Sequence, residues 1–404
     1  MGRMRWKGRA LGLCLCLCLT GGCKAEQGEK KGEDQREELV LWSYYETKEQ
    51  QTALDELIKG FNEAQEEYAM TWEYQGPVTE FNRQIAVGIT QDEFPDMIIL
   101  DNPDMRQYVE QGRLEDLTEE ILDFEGLENY YPNVLTSVVY DGRYYGMPFC
   151  CNNTALIYNK DMLAAKGLSV PVTWEEFLDC AKSLTDQDTY GFAMSAIEGE
   201  QSAFQILPFI LSAGDTIDTV GGEGTQAAFT LIQELAQYGA MSKSCINLSQ
   251  NDVAKMFIEG KCAMMENGSW VLPVLDQSGV DYGIGALPYK NQPAGVAGGE
   301  NIGVLKGKNV EGAVAFLRYY NEGSVMLNTN LRANSLPPRK DTAQLMLNVR
   351  PEYEIFASQM NRCISRSSYE NWPVITKLLS DAQYEIITGQ AEPEEICRRI
   401  REER

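Results

Sequence analysis

The chain has 404 residues, with 60 Asp+Glu against 35 Lys+Arg and no histidine, a formal net charge of −25. So acidic a surface repels phosphate backbones and anionic headgroups, which argues against nucleic acid as a partner. The missing imidazole removes Ser-His-Asp and Cys-His catalysis, HExxH zinc chemistry and the commonest transition-metal ligand, so no metal and no cofactor is expected.

The first 23 residues hold a basic start (Arg3, Arg5, Lys7, Arg9), an apolar run over 10–19, and Thr20-Gly21-Gly22-Cys23. A basic segment, a short apolar segment and small residues before a cut describe an export signal. The apolar run is too short to span a bilayer. Residues 1–22 are therefore expected to be a signal peptide. Its end resembles the lipobox of bacterial lipoproteins, whose cysteine receives a diacylglyceryl group and becomes the new N-terminus. That resemblance implies lipidation of Cys23, although Thr20 stands where the pattern usually has Leu. An ordinary secretory signal with an incidental Cys23 is the alternative. Loss of 1–23 leaves 31 basic residues against 60 acidic ones. Residues 24–38 are almost wholly polar, so the lipidated Cys and a disordered tether are assigned to 23–38.

The remaining length, about 380 residues, suggests two domains. A strand over 39–45 is followed by Thr47, which with Gln50 forms a capping box. Leu54, Leu57, Ile58 and Phe61 then make one apolar helix face. A strand at 68–74, a helix at 81–89 and a strand at 95–100 continue the alternation. It resumes with a strand at 154–158, and with Thr173 and Glu176 boxing a helix that runs to Leu184. A strand at 190–195, a helix-rich stretch to Glu259, and strands at 262–266 and 282–287 come next. A glycine-rich strand entry at 298–304, a helix at 310–320 and a helix at 372–387, stopped by Gly389, complete the order. Strands alternating with helices predict an α/β fold with mainly parallel sheets covered on both faces. Beyond Cys23 lie seven cysteines, an odd number whose spacings match no zinc pattern, so neither a disulfide framework nor a metal site is supported.

A set of short motifs recurs in a telling order: Leu41-Trp42-Ser43, Pro95-Asp96-Met97-Ile98-Ile99, Tyr145-Gly146-Met147-Pro148 and Leu156-Ile157-Tyr158-Asn159-Lys160-Asp161. Thr173-Trp174-Glu175-Glu176-Phe177, Phe257-Ile258-Glu259-Gly260-Lys261, Gly268-Ser269-Trp270, Ala297-Gly298-Gly299 and Trp372-Pro373-Val374-Ile375 follow. Over 39–395 the chain resembles the extracellular solute-binding proteins of family 1, the maltose-binding-protein-like type. The resemblance implies a two-lobe, type II periplasmic-binding-protein-like fold, each lobe a sheet flanked by helices. It places 39–149 plus 297–335 in the N-terminal lobe and 150–296 plus 336–404 in the C-terminal lobe. Hinge crossings would lie near 149–152, 294–300 and 334–338. It further implies a monomer that hands its ligand to an ABC permease, held by Cys23 on the outer face of a Gram-positive cell membrane.

Most such proteins bind sugars. A pyranose offers an apolar face for an aromatic ring and a rim of hydroxyls that Asp, Asn and Glu can pair. On the resemblance, the ligand contacts are Trp42, Tyr44 and Tyr45, then Asp101 and Asn102, Asn152 and Asn153, Trp270, Gly299 with Glu300, and Trp372. Strand alternation puts Trp42 and Tyr44 on one face and Tyr45 on the other, so core packing competes for some of them. Helix capping competes for Asp101 and Asn102, and Tyr369 stands beside Trp372 as a further ring. Trp174, just after its cap, reads as core. Two other readings stay open: a carbohydrate-active enzyme working with paired carboxylates, and the same fold holding a polyamine or another non-sugar solute. The contact segments contain no Arg or Lys, which disfavours anionic ligands.

Overall fold

Along the first strand Leu39, Leu41 and Ser43 are fully buried while Val40 and Trp42 are half-buried, the two-residue period of a sheet packed on both faces. The computed structural model describes residues 36–91, 93–367 and 369–404. The signal peptide, Cys23 and most of the tether fall outside them. Strand pairing begins at Glu37 opposite Tyr68, two residues before the expected start. Glu37 and Glu38 are exposed, so the main chain pairs there without an apolar side chain to announce it.

Among the described residues, nine strands build two main sheets. They are β1 (Glu37–Ser43), β2 (Tyr68–Tyr74), β3 (Met97–Asp101), β4 (Gly146–Pro148), β5 (Thr154–Asn159), β6 (Tyr190–Ala193), β7 (Cys262–Gly268), β8 (Tyr282–Gly285) and β9 (Glu300–Val304). The first sheet runs β2-β1-β3-β9-β4 and the second β8-β5-β7-β6. β2, β1 and β3 are parallel, a pairing that needs crossover connections such as the helices between them. β6 is also parallel to β7, but the four remaining pairings make both sheets mixed rather than mainly parallel. β9 runs antiparallel to β3 and β4, and β5 runs antiparallel to β7 and β8. β9 enters the first sheet from the second lobe, and so arrives against the direction of strands that start within it.

Each sheet has its own core. Leu41, Phe61, Ile99 and Phe316 meet on one face of the first sheet, Phe81, Ile98 and Tyr108 on the other. Phe177, Phe192, Phe229, Phe257 and Met264 fill the second lobe. Both expected capping boxes form, at Thr47 with Gln50 and at Thr173 with Glu176. The tail helix Trp372–Thr388 ends at Gly389 in the left-handed region, φ 76°, where a side chain would be strained. A further helix, Pro393–Glu403, buries Ile396, Cys397 and Ile400 and is missing from the sequence reading. The seven cysteines of the described residues are all buried and unpaired.

The three segments expected to cross between lobes lie side by side. Cys151 exchanges two main-chain hydrogen bonds with Leu336 (2.9 and 3.2 Å), and Asn152 exchanges two with Gly298 (3.0 and 2.9 Å). Just beyond, Gly295–Ala297 pairs in parallel with Cys363–Ser365.

Thr173 accepts the Glu176 N–H at 3.3 Å. Thr173→Ala is expected to cost about 1 kcal/mol, read as a lower urea midpoint with an unchanged slope.

Candidate functional site

β1, β3 and β7 all end at one cleft between the sheets, a cavity of 520 Å³. Strand ends supply such a place because the chain leaves the ladder there and its side chains are freed from strict alternation. Tyr44 and Tyr45 follow directly on Ser43 and both line the cavity, their rings 6.0 Å apart and nearly perpendicular. Trp42 stays within the ladder opposite Ile98, half-buried against the Phe81 cluster, and is not brought to the cleft.

Seven of the eleven expected residues line the cavity: Tyr44, Tyr45, Asp101, Asn152, Trp270, Gly299 and Glu300. Asn102 is buried just behind, with its N–H donating to Gly299 O (2.9 Å). Asn153 turns the other way and donates to Phe356 O (2.8 Å), a structural role. Trp372 is buried with its Nε1 donating to Glu200 Oε2 (3.0 Å), so it supports the wall and does not form it. Tyr369 lies at a separate depression with Ile217 and Asp218. Trp174 is core, its Nε1 donating to Pro288 O (3.1 Å).

The glycines serve the frame. Gly299 has φ +122°, and a Cβ there would strike the Cys150 carbonyl. A Cβ on Gly298 would meet the Asn152 amide and the Phe204 ring, and one on Gly268 would occupy the space of the Trp270 ring. Close approach is what these positions need, as expected, but the body approached is the chain's own crossing strand and Trp270.

The electrostatics are those of a crowded acidic site. Glu300 accepts from Tyr44 Oη (3.3 Å) and from the Cys150 thiol (2.6 Å). Burial raises the Glu300 carboxyl, and those two donors pull it partly back. Burial also drives Asp101 well above the usual carboxylate range, against the pull of Arg366 and with a further push from Asp104, Glu200 and Glu300. Asp104 is raised to about 6, first by burial and then by Glu200. Glu266 is wholly buried and raised by desolvation, accepting from Thr154 Oγ1 (2.7 Å).

Sequence reasoning missed Phe204, Glu200 and Arg366, all lining the cleft. Phe204 sits in the helix Glu200–Ser212, where every residue from Ser202 on is buried, so nothing singled it out. Its ring faces Trp270 with centroids 6.5 Å apart. Arg366 corrects the expectation that the contacts hold no cation. It follows a three-residue strand in a stretch with no readable periodicity. Its partners are Glu200, Asn102 and Asp101, and its side chain is 3% exposed.

The signature of the family described as bacterial extracellular solute-binding protein matches residues 56–354. The chain belongs to this family. The solute-binding protein is 23% identical over 346 residues to the multiple sugar-binding protein of Streptococcus mutans, covering 80% of each chain. It is 24% identical over 328 residues to the sn-glycerol-3-phosphate-binding periplasmic protein of Rhizobium meliloti, covering 74% of each. A solved ABC-transporter solute-binding protein from Thermotoga lettingae, bound with α-D-tagatose, superposes with a TM-score of 0.80 at 22% identity. That likeness covers 91% of this chain and 98% of the other and shows the shared two-lobe fold.

The raised Asp104 carboxyl carries a sign. Because its folded value of about 6 lies above its ordinary value of 3.8, ionising it opposes folding above pH 6 and costs nothing well below pH 4. Asp104→Asn is therefore expected to stabilise the protein at pH 8 by on the order of 1 kcal/mol, an advantage that vanishes toward pH 4 in urea titrations.

Proposed function

We propose that this protein is the substrate-binding component of an ABC importer and captures a sugar, an oligosaccharide, in the cleft between its lobes. The observation that carries the reading is the make-up of the walls. Tyr44 and Tyr45 come from the end of β1, and Phe204 and Trp270 come from the second lobe. Asp101, Glu200 and Glu300 stand among them. Rings can cover the apolar faces of pyranoses while carboxylates and Asn152 take the hydroxyls. The cavity of 520 Å³ falls in the range of small-molecule sites, about 300–1,000 Å³. The sugar-binding relative in Streptococcus mutans supports the same ligand class.

A glycosidase would need one carboxyl poised as an acid and its partner facing the sugar or a water. Glu200 is instead occupied by Arg366, Trp372 and Thr376, and Glu300 by Tyr44 and Cys150, which favours holding over cleaving. A polyamine would bring positive charge to a cleft where Arg366 already pairs with Asp101 and Glu200. Lobes of 39–149 plus 297–335 and 150–296 plus 336–404 would close by bending at the paired crossings. The loaded monomer would meet its permease at the outer face of a Gram-positive cell membrane, anchored through Cys23.

A thermal-shift screen over mono-, oligosaccharides and polyamines tests the ligand class. A true ligand at 100 times Kd should add about 2.7 kcal/mol of stability. A shift with polyamines and with no sugar would overturn the reading. Trp270→Ala should melt close to wild type yet lose about 30-fold or more in sugar affinity by calorimetry. Anchoring has its own measurement, mass spectrometry of the mature N-terminus, expected to start at a diacylglyceryl-modified Cys23. An unmodified mature terminus would remove the anchor and leave the binding reading intact.

A further inference from the structure

Among the described residues that line the cleft, Arg366 is the single cation, facing Asp101, Glu198, Glu200 and Glu300. The acids come from both sides. Asp101 and Glu300 are paired neighbours in the first sheet, while Glu200 opens a helix packed into the second core. Bringing the lobes together therefore drives like charges into a space that excludes water, where their repulsion is least screened.

Arg366 stands between Asp101 and Glu200, and its two sides are held differently. On the second-lobe side its Nη1 engages the Glu200 carboxylate, which Trp372 Nε1 (3.0 Å) and Thr376 Oγ1 (2.6 Å) also grip. The guanidinium lies over the Phe204 ring, 4.4 Å from its centre. On the first-lobe side its Nη2 reaches Asn102 Oδ1 at 3.3 Å and Asp101 Oδ1 at 3.9 Å. The neighbouring Arg106 adds a third link across the same seam, Nε to Ser367 O at 3.4 Å. One lobe thus fixes the guanidinium, and the other meets it through longer contacts.

We propose that Arg366 is a positioning residue for solute capture, the charge bridge that lets the lobes close over Asp101 and Glu200 and holds both carboxylates toward the solute. The role rests on the cleft being the solute site, and it needs no particular sugar. The titratable groups around Arg366 are Asp101, Asp104 and Glu300 from the first sheet and its loops, with Tyr44 and Cys150 against Glu300, and Glu198 and Glu200 from the second lobe.

Three variants, R366Q, R366K and the double variant R366Q/E200Q, test the bridge. Unliganded proteins are melted at pH 8 and pH 5, and sugar affinity is measured by calorimetry at both. Without the guanidinium Asp101, Asp104 and Glu300, whose carboxyls burial raises, oppose closure while ionised, and that opposition weakens as falling pH protonates them. R366Q should therefore melt well below wild type at pH 8, with the gap closing at pH 5. Its affinity should fall by about tenfold or more at pH 8 and much less at pH 5. R366K should recover part of each loss, and E200Q added to R366Q should restore the pH 8 melting point by removing an unpaired charge. A gap of equal size at both pH values, or no recovery in the double variant, would overturn the proposal. If R366Q does not fold, folding of the double variant at pH 8 supports the bridge and its failure overturns it. If wild type binds no sugar, the sugar reading fails, and the melting comparison still decides the role of Arg366.

Discussion

Four main-chain hydrogen bonds at the crossings, between Cys151 and Leu336 and between Asn152 and Gly298, fix the relation on which the molecule depends. Three strands of one chain must run side by side through a narrow neck, and the neck then dictates its surroundings. It reverses β9 relative to β3, because a strand returning through it enters the first sheet backwards. It demands glycine at 298 and 299, because backbone and side chains of the neighbouring crossing occupy the places of both Cβ atoms. It also carries Glu300 to the cleft floor, where the carboxylate meets Tyr44 and the Cys150 thiol.

The cleft that results is built from exits. Tyr44, Tyr45 and Asp101 stand where strands stop, and Trp270 stands one short turn past β7. Side chains at such points are aimed by the way the chain leaves the sheet, so rings from both lobes can oppose one another. Burial gives the acids a second property. It holds the carboxyls of Asp101 and Glu300 above the range of an exposed acid, so each resists ionisation more than a surface carboxyl does.

Much of this was legible in the sequence because it is local. Capping boxes at Thr47 and Thr173, the Leu54–Phe61 face and the Gly389 stop all rest on residues a few positions apart, and each element stands where the pattern places it. Family motifs extended that reach to Tyr44, Tyr45, Asp101, Asn152, Trp270, Gly299 and Glu300. What failed was non-local. Trp42 is two residues and Asn153 one residue from a cleft position, yet Trp42 packs on the Phe81 cluster and Asn153 is buried on the Phe356 carbonyl, placements that only the fold decides. Arg366 has no periodic neighbours, and only the fold brings it beside residues more than 160 positions earlier. The sign of β9 was unreadable for the same reason: strand direction in a sheet follows from the path between lobes.

The seven buried thiols have a consequence for how the protein comes into being. Burial raises every one of them, to about 11 at Cys180, Cys245 and Cys397 and about 12 at Cys363, leaving almost no thiolate to react. In the folded protein these seven buried thiols are shielded from oxidants. In the unfolded chain the same seven thiols are exposed at once. Its vulnerability is therefore a matter of timing, a race between collapse and oxidation in the moments after the chain emerges, and rapid closure of the core is what protects it.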